Sequence, residues 1–142
     1  MDDPIAELEA ELADIWRRGR ARMRNRAHAI DPKLDPACYP LLIVLTTHDK
    51  LSMSEMVAKL DIEKSTLTRQ IDAVVRLGLV ERQIAPDDGR VRLVTLTDHG
   101  HERMATVATS ALAEWRDRLT RWDPDEIRTL TRLLQKLAAD EV

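Results

Sequence analysis

Residues 64–97 read KSTLTRQIDAVVRLGLVERQIAPDDGRVRLVTLT, and the stretch just before them, residues 52–63, reads SMSEMVAKLDIE. Ser52-Met53-Ser54-Glu55 is a capping box. The Ser hydroxyl accepts from the amide three residues on, and the Glu carboxylate reaches back to the Ser amide. A short helix to Leu60 follows, and Asp61-Ile62-Glu63 makes the turn. A second helix is expected from Lys64 to about Leu77, with Gly78 as its C-terminal stop. Leu79–Ile84 and Val91–Leu96 then read as two strands joined by Ala85-Pro86-Asp87-Asp88-Gly89-Arg90. Their Val, Leu and Ile content and the Asp-Gly turn signal support that reading. The unit is therefore a helix-turn-helix followed by a hairpin with an Arg at its tip. One helix and one ribbon side by side can enter the major and minor grooves of a duplex.

The helical wheel agrees. Leu67, Ile71 and Val74 share one side of the second helix with Gly78, flanked by Val75, while Ser65, Arg69, Asp72 and Arg76 lie opposite. Lys64, Ser65, Thr66, Thr68 and Arg69 bring a cation, hydroxyls and a guanidinium fork to the first turns, where phosphates and base edges are met. A solvated polar face would look the same in isolation. The basic-tipped hairpin that follows at once is what favours nucleic acid.

The run from Leu41 to Arg103 resembles the MarR family of winged-helix transcription regulators. Asp88-Gly89-Arg90-Val91-Arg92-Leu93-Val94-Thr95-Leu96-Thr97 follows that family's wing pattern, an Asp, any residue, an Arg, and Leu-Thr closing the return strand. Lys64-Ser65-Thr66-Leu67-Thr68-Arg69 and Leu77-Gly78-Leu79-Val80-Glu81-Arg82 are typical as well. The resemblance implies a mainly α fold with a small β-hairpin wing. A winged region at 35–97 would be flanked by helical dimerisation regions at 1–34 and 98–142. It also implies a homodimeric, ligand-responsive repressor on a pseudo-palindromic operator. The expected DNA contacts are Ser54, Lys64, Ser65, Thr66, Thr68, Arg69, Asp88, Arg90 and Arg92, with Asp88 holding the Arg90 guanidinium. Two positions depart from the pattern. Asp61 stands where many members have Gly, and Asp tolerates a left-handed conformation better than most residues. Pro40 falls early in a helix, where it removes an amide donor and is expected to delay or kink the helix start.

The chain has 142 residues, 44% hydrophobic and 33% charged, which suits one domain with a core. Its net charge is −3, which does not advertise a nucleic-acid binder. Distribution matters more than the sum. Between Lys64 and Arg92 six Lys or Arg face four Asp or Glu, while acids gather at Asp2–Asp14 and Asp123–Glu126. The acidic N-terminus argues against a secretory leader, and Leu41–Leu45 is too short an apolar run to span a bilayer. One Cys excludes an internal disulfide. A cytoplasmic protein is expected.

The ends carry apolar stripes at spacings of three, four and seven: Ile5, Leu8, Leu12, Ile15 and Trp16, then Met23 and Ile30. After the wing, Thr97 caps a long helix bearing Met104, Val107, Leu112, Trp115 and Leu119. Asp123-Pro124-Asp125-Glu126 opens a last helix with Ile127, Leu130, Leu133, Leu134 and Leu137. Such stripes usually form intrachain core. The resemblance instead implies an intersubunit interface, with Ile5, Leu8, Leu12, Trp115, Leu119, Trp122, Leu133 and Leu134 in it. Between Arg17 and Arg26 lie six Arg and no acid. These are read as a solvated helix end or as an anion-facing rim.

No Gly-rich phosphate loop, Cys pair or Glu-flanked His pair is present, so neither an enzyme nor a cofactor or metal protein is expected. A metal site drawing on Cys38, His48, His99 and His101 is the weaker alternative. A small-molecule effector of unknown identity is expected where the first, second and fifth helices meet the winged region, near Met23, His28, Cys38 and Leu42. Cys38 is either a thiol activated by a helix N-terminus or a small buried apolar residue, the second being favoured. The alternative to a DNA-binding regulator is a winged-helix protein-interaction module.

Overall fold

Local rules place each helix start. In the computed structural model, which describes residues 1–139, Asp3 caps α1 (Pro4–Ile30) by accepting from the amides of Ile5 and Ala6. Pro4 occupies the first turn, where its missing donor costs nothing. A 3₁₀ turn, Pro36–Cys38, is capped by Asp35 and leads into α2 (Tyr39–Thr47). Pro40 sits in the first turn of α2, so it fixes φ without removing a ladder hydrogen bond. The expected delay is absent: α2 already starts at Tyr39, with the chain entering from the 3₁₀ turn in helical backbone at Cys38.

α3 (Met53–Leu60) has both arms of its capping box: Glu55 N–H donates to Ser52 Oγ at 3.3 Å, and Ser52 N–H donates to Glu55 Oε1 at 3.1 Å. The Ser52 amide, then its side chain, holds the Glu55 carboxyl below its usual range. Asp61 closes α3 at φ 50°, ψ 50°, the left-handed position anticipated for it. α4 (Lys64–Arg76) ends at Leu77, and Gly78 follows at φ 73°. Leu67, Ile71 and Val74 are the buried face of α4.

Three strands form one antiparallel sheet in the order β1-β3-β2, with β1 Leu51–Ser52, β2 Val80–Ile84 and β3 Arg92–Leu96. The hairpin β2–β3 is the expected wing. β1 is an addition: Leu51 pairs with Val94 and Ser52 with Leu93. The wing root is thereby tied to the start of α3, and Thr95 Oγ1 donates to the Asp49 carbonyl at 2.7 Å beside it.

Thr97 precedes α5 (Asp98–Leu119) and accepts at Oγ1 from Gly100 N–H at 3.0 Å, as its expected capping role requires. The same hydroxyl donates to the Gly78 carbonyl at 2.6 Å, and Thr97 N–H donates to the Leu79 carbonyl at 3.0 Å. The first turn of α5 therefore lies directly on the α4–β2 junction. Gly100 is what permits this. A Cβ there would overlap the Leu79 carbonyl oxygen and stand 3.2 Å from Leu96 Cδ2. Gly100→Ala is expected to cost about 1–3 kcal/mol or more, read as a lowered midpoint in urea or thermal unfolding. An unchanged midpoint would mean that the junction yields freely.

α6 (Pro124–Ala139) starts with Asp123 Oδ1 accepting from Asp125 N–H at 2.9 Å. Packing divides the chain into two units, Met1–Val107 and Ala108–Val142. The core lies in the first. It joins Ala27, Ile30 and Leu34 to Leu41, Leu42 and Leu45, then Met56, Leu67, Ile71 and Val74, and finally Leu79, Val80, Val94, Met104 and Val107. Arg103, on α5, donates to the carbonyls of Ala29 and Ile30, satisfying the end of α1. The last three residues of the expected 98–142 region lie outside the described residues.

Candidate nucleic-acid interface

α4 presents a polar face because its apolar face is consumed by the core. Lys64, Ser65, Thr68 and Arg69 are exposed and Thr66 is half-buried. Among the described residues neither Lys64 nor Arg69 has an ion-pair partner, so both charges face solvent. No side chain caps α4, whose N-cap position is Glu63. Its first-turn amides are therefore open to an anion. Thr68 Oγ1 donates to the Lys64 carbonyl at 2.9 Å, which leaves the hydroxyl as an acceptor. Ser54 is exposed in the first turn of α3.

The wing tip is built around Asp88. Its Oδ1 accepts from the Arg90 backbone N–H at 3.0 Å and stands 4.0 Å from Arg90 Nε. Ala85 N–H donates to the Val91 carbonyl at 2.9 Å and Val91 N–H to the Asp88 carbonyl at 3.1 Å, which closes the loop. The Arg90 side chain is 96% exposed. A side chain so placed makes almost no contact with its own fold. Arg92 is also exposed, but its Nη1 donates to the Gly89 carbonyl at 3.1 Å, so it braces the tip. The structure thus brings the α4 group together on one helix and the Asp88–Arg92 group together on one hairpin, within a single packing unit.

One pair escaped sequence reading. Asp72, in the middle of the polar face of α4, forms an ion pair with Arg82 of β2. The residues are ten apart, and no local spacing rule joins a helix to the strand after it.

The other expected sites scatter. Cys38 and Leu42 are buried in the core, Met23 packs half-buried against it, and His28 is exposed. Burial first, and then the Asp35 charge, push the Cys38 thiol above its ordinary range. A raised thiol is a poor nucleophile at neutral pH. The helix-dipole activation considered for it loses to desolvation. Among the described residues no three His, Cys, Asp or Glu are set to hold a metal ion. Ile5, Leu8, Trp115, Trp122, Leu133 and Leu134 are exposed, and Leu12 and Leu119 half-buried. In the second unit Leu112, Trp115, Leu119, Trp122 and Ile127 line an open apolar groove of about 550 Å³. The Arg run lies inside α1, not at its end, and Asp14 pairs with both Arg17 and Arg18. No described helix is long and apolar enough to cross a membrane.

The MarR family profile matches residues 33–91. An uncharacterized HTH-type transcriptional regulator of Bacillus subtilis, YdgJ, is 30% identical over 68% of this chain, and the match spans 59% of that relative's length. The crystal structure of RV1404 from Mycobacterium tuberculosis superposes with a TM-score of 0.80 at 21% identity, covering 99% of this chain and 96% of that one. A cysteine-to-serine mutant of MarR from E. coli, solved in complex with operator DNA, gives a TM-score of 0.65 at 24% identity, covering 96% of this chain and 99% of that one.

Proposed function

This chain belongs to the MarR family of winged-helix transcriptional regulators, which are not enzymes, and from that premise we propose that it is a homodimeric, ligand-responsive repressor that reads a pseudo-palindromic operator in double-stranded DNA. The observation that carries the reading is the presence of two exposed cationic elements in one packing unit. Lys64 and Arg69 lie on an α4 whose N-terminus is open, and Arg90 projects from the wing tip. The E. coli MarR–operator complex supports it, since the fold common to both chains binds an operator there. In this reading α4 enters the major groove and Arg90 the adjacent minor groove. The protein acts in the cytoplasm, where the operator is.

The direct test is a salt titration on mixed-sequence duplex. A protein that neutralises phosphates releases counterions, so affinity falls steeply as salt rises, with a slope of about −0.9 per contact. A flat slope would point instead to a protein-interaction module. Protection mapping on DNA flanking the protein's own gene would then locate the operator.

The homodimer is supported by what the chain leaves uncovered. Trp16 is 63% exposed on α1, Leu112 60% on α5 and Leu134 53% on α6. Large apolar side chains in runs of this length are not left in water by a soluble monomer. A two-fold partner would put two α4 helices on half-sites roughly 34 Å apart. The effector is proposed to enter near Met23 and His28. Cys38 and Leu42 are buried in the core, so a ligand that reaches them must open that core, which gives it differential affinity for two states.

Base reading and phosphate binding separate by mutation. Arg69→Ala is expected to relax preference at one position of each half-site in selection from random duplexes. Lys64→Ala is expected to weaken all sequences about equally and to lower the salt slope by about one per subunit. An unchanged consensus for Arg69→Ala would remove its base-reading role.

A further inference from the structure

We infer that Asp72 is a positioning residue, which through Arg82 fixes the angle of the wing against the recognition helix so that Arg69 and Arg90 reach neighbouring grooves together. The inference rests on the DNA-reading role proposed above. Its ground is the place of the pair in the fold. Asp72 is the only carboxylate of α4, and it lies among Ser65, Arg69 and Arg76 on the polar face. A carboxylate there repels phosphate, so its presence on a DNA-facing surface needs a reason. The structure supplies one: its Oδ1 is taken by the Arg82 guanidinium.

Arg82 sits at a particular point of the wing. Val80, Arg82 and Ile84 alternate onto one face of β2, opposite Leu96, Val94 and Arg92 of β3. At the inner end of that face Val80, Leu96 and Val94 are buried, whereas Ile84 at the outer end is 60% exposed. The pair therefore lies where the hairpin leaves the core. Beyond it the outer end of this face, where Ile84 is largely exposed, has little apolar packing to hold its angle. Among the described residues no other side-chain hydrogen bond or ion pair joins the middle of α4 to β2. Both side chains are partly open to solvent, so the pair adds little to stability as such. Its effect is on geometry, because displacing a recognition group by an ångström forfeits most of a contact.

The test is a double-mutant cycle on the full chain. The probes are a random-sequence duplex and the duplex that the wild-type protein enriches from it. Asp72→Ala, or Asp72→Asn as the variant that keeps the side chain's size, is expected to reduce preference for the enriched duplex about tenfold. Binding to random duplex should hold or tighten, because a repulsive charge is gone. Arg90→Ala should then cost far less in the Asp72→Asn background than in the wild type, since the wing is already out of register. Exchanging the charges (Asp72→Arg with Arg82→Asp) should recover part of the lost preference. A purely structural pair would shift only the unfolding midpoint and leave the cycle additive, which overturns the inference. A wild-type protein that enriches no sequence at all would overturn the DNA-reading role itself, a separate result.

Discussion

Replacing Arg90 with alanine is expected to abolish tight operator binding while leaving the protein folded. The side chain is 96% exposed, and its one ionic neighbour, Asp88 Oδ1, lies 4.0 Å away, so its removal disturbs nothing internal. Its contribution is then expected to be made with DNA alone. A guanidinium in a narrow minor groove meets enhanced negative potential, worth about 1–3 kcal/mol per site and about twice that in a symmetric dimer. The measurement is a gel-shift titration, with a thermal melt as the control on folding. Unchanged affinity would take the wing out of the mechanism. Asp88→Ala should do smaller damage of the same kind. It removes the acceptor 3.0 Å from the Arg90 amide, so the tip loosens while the charge remains.

The second large effect concerns the ends of the chain. Deleting residues 1–16 removes the exposed apolar side chains of Ile5, Leu8, Ile15 and Trp16 with half-buried Leu12. If these cover the corresponding surfaces of a second copy, each large side chain contributes about 1.5–3 kcal/mol to the assembly. An obligate dimer leaves little stable monomer. The truncated chain is therefore expected to aggregate or unfold, and no soluble DNA-binding monomer should result. Leu8→Glu combined with Leu12→Glu should act in the same way, while Glu9→Gln should be silent. Sedimentation of the wild-type protein at micromolar concentration is the direct measure. A well-behaved 16.2 kDa monomer would remove the dimer and with it the two-half-site mechanism.

The parts of this fold that could be read in the sequence are those decided within a few residues. Ser52 and Glu55 cap each other, Asp61 and Gly78 accept left-handed backbone, and Thr97 and Asp123 begin helices. Each depends on bonds spanning one turn. The hairpin was legible because β2 and β3 are adjacent and their turn is short. β1 was not, since Leu51-Ser52 is too brief to show a period and finds its partners some forty residues later, at Val94 and Leu93. The Asp72–Arg82 pair was hidden because no local spacing rule joins a helix to the strand after it. The environment of Cys38 was hidden in another way. Its local signal, a position near a helix start, pointed to a lowered thiol pKa, while burial by residues distant in sequence raises it. For the polar face of α4 the residue types were evident in advance, but it took the fold to show that Lys64 and Arg69 have no ion-pair partner among the described residues while Asp72 has one. The roles proposed for the apolar ends require a second copy, which no local pattern in one chain displays.

The strand order β1-β3-β2 leaves β2 with one unpaired edge, a row of free backbone donors and acceptors that could recruit a strand from another molecule. The wing is guarded against this. Glu81 and Arg82 place opposite charges in the middle of β2, and Gln83 Nε2 donates to Glu81 Oε1 at 2.9 Å, holding a polar group over that strand. Pro86 just beyond the strand offers no amide for a ladder to continue. β1, at the other edge, is only two residues long. The sheet can therefore carry exposed Ile84 near its tip while offering a second molecule neither a long edge nor an uncharged one to extend.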